Sequence, residues 1–81
     1  MRNILEKVLS GLSDANIGFS DLRKLILTLE FKERIKGDHH IYSKAGITEI
    51  INIQPRNDGK AKPYQVKQIR NLIHKYKLNK G

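Results

Sequence analysis

Two adjacent histidines, His39 and His40, follow a glycine turn near the middle of the chain and are the side chains best suited to chemistry. Histidine exchanges a proton near neutral pH more readily than other side chains, so it can act as a general acid or base. Gly37 lets another molecule approach closely, because a residue without Cβ leaves its backbone uncovered. This pattern indicates chemistry performed on an anionic polymer.

The formal net charge of +8 is carried entirely by the second part of the chain. Residues 1–31 contain four basic and four acidic side chains, whereas residues 32–81 contain twelve basic and four acidic ones. A one-sided excess of positive charge is expected of a protein that binds nucleic acid or another polyanion. The residues that we expect to contact such a partner are Lys32, Arg34, Lys36, Gly37, His40, Tyr42, Lys44, Lys60 and Lys62.

The length of 81 residues predicts a single domain over residues 1–81, with enough Ile, Leu and Val for one core. The lack of cysteine excludes disulfides and thiolate metal sites. Adjacent histidines in a strand point to opposite faces, so we expect neither a metal site nor a cofactor. No apolar run approaches the ~20 residues that span a bilayer, and no signal peptide is recognisable, which favours a cytoplasmic protein without membrane contact.

Apolar residues at helical spacing predict a helix over residues 4–12, with Asn3 as its N-cap and Gly11 near its end. A second helix is expected to start at Ser20, whose hydroxyl would cap it. The period then changes to 2 from Phe31, which predicts three antiparallel strands, and Pro63 opens a last helix. We expect the strands to begin at Phe31 and to cover residues 39–44 and 47–54, and the last helix to cover residues 63–76. This order gives an α+β fold with helices on one face of the sheet.

Two features of the sequence disagree with simple patterning. Glu33 falls on the buried face of the first strand, which is acceptable only near a sheet edge. Lys60 and Lys62 precede the last helix, where an acidic or hydroxyl side chain would be the favoured cap. Such a helix start offers free N–H groups and positive charge to a phosphate, and the alternative is an exposed, poorly capped helix.

The run from Gly37 to Tyr42 after a basic strand, the Ile-rich third strand and the closing run from Lys62 to Ile73 resemble the HicA-type toxins of bacterial toxin–antitoxin systems. The resemblance covers about residues 20–78 and leaves residues 1–12 as an N-terminal helical extension. It implies a double-stranded-RNA-binding-like α-β-β-β-α core, cleavage of messenger RNA, and inhibition by a HicB-type antitoxin.

In that family one essential histidine follows a Gly-Ser or Gly-Thr pair, and the matching position here is His39, preceded by Asp38 instead. The resemblance implies that His39 is the general base that drives the 2′-hydroxyl of RNA onto the adjacent phosphorus. Lys36, Lys44 and Lys62 are candidates to neutralise the phosphate, and His40 or Tyr42 to act as the acid. Asp38 can stabilise an imidazolium, but it can also repel a phosphate.

Two other functions fit the same residues. A non-catalytic RNA- or DNA-binding module would use the same basic face and would be insensitive to loss of His39. An interaction protein would dock a partner through the N-terminal helix, although packing of that helix on its own core is the simpler account.

Overall fold

The computed structural model describes residues 3–79, which form three helices and one three-stranded antiparallel sheet. A short 3₁₀ turn over Asp14–Asn16 lies between the first two helices. The elements in chain order are α1 (Ile4–Ser10), α2 (Phe19–Thr28), β1 (Lys32–Lys36), β2 (His39–Lys44), β3 (Ile47–Ile53) and α3 (Pro63–Tyr76). The α+β class and the expected order of elements are therefore confirmed.

The sheet has the order β1-β2-β3, so β2 is central and each outer strand has one free edge. Lys36 pairs with His39 across the β1–β2 hairpin, and His40 pairs with Ile53 of β3. Residues that lie opposite each other in an antiparallel pair share a face. The basic side chains of β1 and His39 therefore lie on one face of the sheet, and His40 lies on the other.

A single core fills the space between the helices and the face of the sheet on which His40 lies. It is lined from the sheet by the fully buried Tyr42, Ile51 and Ile53. Helix α1 belongs to this core, because Val8 is fully buried in it. The helices contribute Val8, Leu22, Leu25, Ile26, Val66, Ile69, Leu72 and Ile73.

Arg70 of α3 holds α1 in place. Its guanidinium donates to the carbonyl oxygen of Val8 at 3.1 Å and to both carboxylate oxygens of Asp14 at 2.9 and 3.0 Å. Two parallel charge-assisted bonds fix orientation as well as distance. The packing of the N-terminal helix on its own core is thus what the structure has.

The first helix is capped as the sequence predicts. The side chain of Asn3 accepts a hydrogen bond from the Glu6 N–H at 2.9 Å, and Gly11 ends the helix with φ of 71°. The helix stops at Ser10, so Leu12 lies outside it and is 86% exposed, in contrast to the stripe expected over residues 4–12. A left-handed glycine turns the chain away before that position is reached.

The capping role expected of Ser20 is wrong. Helix α2 begins at Phe19 with Gly18 at its N-cap, and no side chain within residues 3–79 caps it. Backbone pairing with the loop before α3 fixes this start: the Phe19 N–H donates to Gly59 at 3.0 Å, and the Ala61 N–H donates to Ile17 at 2.9 Å. Tertiary contacts therefore fix where the helix starts, and the Leu22 N–H, which a Ser20 cap could have taken, donates to the Gly18 carbonyl at 3.0 Å.

Glu33 lies on the core face of the edge strand β1, and its surroundings explain why a carboxylate is tolerated there. Arg23 donates two hydrogen bonds to it, at 2.7 and 2.8 Å, and the Tyr42 hydroxyl donates a third at 2.7 Å. These bonds, that from Arg23 foremost, lower the pKa of Glu33 from 4.5 to about 2 against the opposing effect of burial. Both carboxylate oxygens thus accept a hydrogen bond, as a mostly buried charge requires.

None of the helices within residues 3–79 is both long and apolar enough to cross a membrane.

Candidate active site

His39 is the first residue of β2 and follows the two-residue turn formed by Gly37 and Asp38. Gly37 has φ of 62°, a conformation that glycine adopts without strain and that two-residue hairpin turns require at this position. The turn places His39 on the sheet face away from the helices, with 47% of its side chain exposed. The ring is therefore accessible to a large substrate.

Asn52 of β3 fixes the His39 ring. The two side chains are joined by a hydrogen bond of 3.2 Å between Nδ1 of His39 and Oδ1 of Asn52. An amide oxygen can only accept, so this bond requires the hydrogen on Nδ1, and in the neutral ring Nε2 then has the lone pair. Nε2 is therefore the atom of His39 that can take a proton.

Asp38 lies beside that atom. Its Oδ1 is 3.8 Å from Nε2 of His39, and its Oδ2 accepts a hydrogen bond from Nε2 of Gln54 at 2.7 Å. The bond from Gln54 is the main cause of a lowered pKa of Asp38, and the charges of His39 and Lys62 act in the same direction. Asp38 is thus a carboxylate held where it can stabilise a positive charge on His39.

A groove of about 290 Å³ runs past His39 between the edge strand β3 and the start of α3. Tyr64, in the first turn of α3, is 66% exposed. Gln65 is 2% exposed, and its buried Oε1 has no hydrogen-bond partner within the described residues. The groove is lined by His39, Ile50, Asn52, Gln54, Tyr64, Gln65 and Gln68.

Three of the expected cations share the face of His39. Lys32, Arg34 and Lys36 are exposed along β1, and Lys36 lies directly opposite His39 in the strand register. Beside them is a depression of about 520 Å³ that also contains Ile41 and the 55% exposed Ile50. This face therefore presents positive charge around an apolar centre.

The substrate-binding role expected of Tyr42 is wrong, and His40 lies on the opposite face from His39. Tyr42 is fully buried, and burial together with its bond to Glu33 raises the pKa of its hydroxyl. The His40 ring packs edge-on against Phe19 with centroids 4.9 Å apart, and its Nδ1 is 3.6 Å from Oε2 of Glu33. Neither side chain lies in the groove of His39, so neither is positioned as its acid partner.

Lys44 and Lys60 also point to other parts of the fold. The ammonium of Lys44 donates to the Leu29 carbonyl at 3.0 Å, at the C-terminal end of α2, where a cation is favoured. At ~3.3 Å per residue it stands roughly 17 Å along β2 from His39, too far to share one phosphate. Lys60 donates to Oδ1 of Asn16 at 2.9 Å.

The basic, poorly capped start of α3 is confirmed. Lys62 occupies the N-cap, Pro63 follows it, and no side chain within residues 3–79 caps this helix. Lys62 also lines a depression of about 500 Å³ with Arg56. Gln54 lines both this depression and the groove of His39, so positive charge borders the groove on two sides.

Comparison of the chain with protein-family models, with curated proteins and with solved structures found no match.

Within residues 3–79, no three His, Asp or Glu side chains come together as a metal-binding group. The site is instead suited to acid–base chemistry: Nε2 of His39 can accept a proton from another molecule, and Asp38, held by Gln54, can stabilise the resulting imidazolium.

Proposed function

We propose that this protein is a metal-independent endoribonuclease of the HicA type, which cleaves messenger RNA and has His39 as its general base. The observation that carries the proposal is the half-exposed His39 ring, which lines the groove beside a basic face and whose Nδ1 is bonded to Asn52. Because the proposed substrate is messenger RNA, we propose that the protein acts in the cytoplasm.

In this mechanism Nε2 of His39 takes the proton of a ribose 2′-hydroxyl. The 2′-oxygen then bonds to the adjacent phosphorus, and the bond from phosphorus to the 5′-oxygen breaks. Water in the open groove gives the leaving 5′-oxygen its proton, and the products are a 2′,3′-cyclic phosphate and a 5′-hydroxyl. General-base assistance of this kind accelerates a reaction roughly 10²–10⁴-fold.

Two charged groups support this assignment. Lys36 lies opposite His39 in the register and is exposed, so it can neutralise the negative charge that develops on the phosphate. Asp38, 3.8 Å from Nε2, stabilises the imidazolium once the proton has been taken. The same carboxylate repels an approaching phosphate, so we expect a slow enzyme.

A cognate HicB-type antitoxin would inhibit the enzyme by covering His39 and the basic face around it. The exposed Ile50 and the neighbouring Ile41 give this face an apolar centre, with Lys32 and Arg34 at its border. An apolar centre with a charged rim is the usual composition of a protein interface.

The test compares the wild-type protein with His39→Ala and with His74→Ala, an exposed histidine of α3 that serves as the matched control. Each protein is incubated in EDTA with an RNA oligomer and with the same oligomer carrying 2′-deoxy sugars. We expect wild-type protein and His74→Ala to cleave only the ribose substrate, leaving cyclic phosphate ends, and His39→Ala to be inactive with an unchanged melting temperature.

Unchanged cleavage by His39→Ala would remove the proposed base. Salt-sensitive binding of RNA without cleavage by the wild-type protein would favour the non-catalytic binding module. Growth inhibition on expression, lost in His39→Ala and relieved by a co-expressed product of an adjacent small gene, tests the assignment as a toxin.

A further inference from the structure

We propose that the groove between β3 and α3 is a subsite for one unpaired nucleobase, which stacks on Tyr64 while its ribose lies over His39. The inference deepens the proposed function, on which it rests, because it makes single-stranded RNA the substrate. It is carried by the composition of the groove, by the exposure of Tyr64 and by the Gln65 Oε1, which has no hydrogen-bond partner within residues 3–79.

The polar lining of the groove is suited to a base and not to a phosphate. Apart from the ionisable His39, the residues that line it are uncharged. Its polar groups include the amides of Asn52, Gln54, Gln65 and Gln68. An amide offers a donor and an acceptor side by side, which is the pattern that the edges of nucleobases present. The cations Lys36 and Lys62 stand outside the groove, where the phosphates on either side of the base would lie.

Tyr64 supplies the flat apolar surface that a base requires. It stands in the first turn of α3, directly after Pro63, and keeps 66% of its surface exposed although it is a large aromatic residue. Because Pro63 has a fixed φ, the backbone next to the ring is rigid, and stacking of a base costs little conformational entropy. Every base has a π-face, so stacking on Tyr64 tolerates any of the four.

Gln65 provides the independent sign of a ligand. The residue is only 2% exposed, yet its Oε1 has no hydrogen-bond partner within residues 3–79. Its Nε2 is 3.5 Å from the Tyr64 hydroxyl, at the limit of a hydrogen bond. A buried acceptor without a donor is unfavourable, and an amino group on a bound base relieves it once the Gln65 amide turns towards the groove.

The volume of about 290 Å³ is at the small end of ligand pockets and admits one planar base. In a duplex each base is stacked and paired, so neither its face nor its edge is free for such a groove. The same site therefore excludes double-stranded RNA from the position next to His39.

The test measures binding in a His39→Ala background, so that no cleavage is needed. A fluorescent 12-nucleotide RNA, alone or annealed to its complement, is titrated with His39→Ala protein that carries Tyr64, Tyr64→Phe or Tyr64→Ala. We expect Tyr64→Ala to weaken binding of the single strand roughly 5- to 150-fold, as loss of one stacked base does. Tyr64→Phe keeps the ring and should bind as Tyr64 does, and binding of the duplex should be equal in all three proteins.

A Tyr64→Ala protein that binds the single strand as tightly as the Tyr64 protein would overturn the subsite, as would equal losses for single strand and duplex. A Gln65→Leu variant gives a second reading, because it should weaken binding of the single strand while retaining the melting temperature. RNA binding without cleavage by the wild-type protein would overturn the proposed function and leave the subsite standing, so the two failures are distinct.

Discussion

Replacing Glu33 by Gln should destabilise the protein in a way that depends on pH. The Glu33 carboxylate joins β1 to α2 through Arg23 and to β2 through Tyr42, and His40 faces it from 3.6 Å. The variant keeps the shape of the side chain and removes its charge. The loss therefore reports how much the ionised carboxylate contributes to the folded state.

The magnitude follows from the pKa of Glu33, which falls from 4.5 to about 2 on folding. At 1.36 kcal/mol per pKa unit this is about 3 kcal/mol. Arg23 is 37% exposed, and solvent screens part of its attraction, so we expect a loss between about 1 and 3 kcal/mol at neutral pH. Because the folded pKa is lowered, the contribution is fully present above pH 4.5 and is lost as the pH falls towards 2.

Urea unfolding measured at a series of pH values checks this prediction. The gap in unfolding free energy between wild type and Glu33→Gln should be constant above about pH 5 and should shrink to roughly half by about pH 3. Glu30→Gln is the matched control, because Glu30 is 86% exposed and its nearest cation, Lys44, is 3.9 Å away. A gap that stays constant through the acid range, or an equal gap for Glu30→Gln, would refute the role assigned to Glu33.

Two further predictions concern the candidate active site. Asn52→Ala removes the hydrogen bond that fixes the His39 ring, so kcat for RNA cleavage should fall roughly 2- to 10-fold. Thr48→Ala on the same strand should leave kcat unchanged. Equal kcat values for Asn52→Ala and wild type would contradict the positioning role. Arg34→Ala, tested in the His39→Ala background, should reduce the magnitude of the slope of log affinity against log salt concentration by about 0.7 for single-stranded RNA. Lys24→Ala, at an exposed lysine of α2, provides the control. An equal reduction for Lys24→Ala would count against the basic face of β1 as the binding surface.

The secondary structure could be predicted where periodicity and terminal residues agreed. The bounds of β2 and α3 match the expected residues 39–44 and 63–76, because a glycine turn and Pro63 mark their starts. The start of α2 could not be predicted, since the Gly59 carbonyl that fixes it comes from a loop about 40 residues away in the chain. Local signals carry no information about such a partner.

The position of His39 on an exposed face also agrees with the alternation of the strand. The burial of Tyr42 could have been predicted too, because a two-residue turn pairs it with Glu33 on the core face. The groove itself could not, as it depends on the distance between β3 and the first turn of α3. Tyr64, Gln65 and Gln68 therefore had only one signal in the sequence, the poorly capped helix start beside them.

The hairpin register decides which of two adjacent histidines lies at the groove. A deletion of one residue in the turn at Gly37 would invert the parity of β2 and present His40 where His39 now stands, so an imidazole would still face the groove. The same slip would turn Tyr42 out of the core and leave Glu33 without its hydroxyl donor. The deletion would therefore keep an imidazole at the groove and still disrupt the core, so folding constrains the length of this turn more tightly than the position of a histidine does.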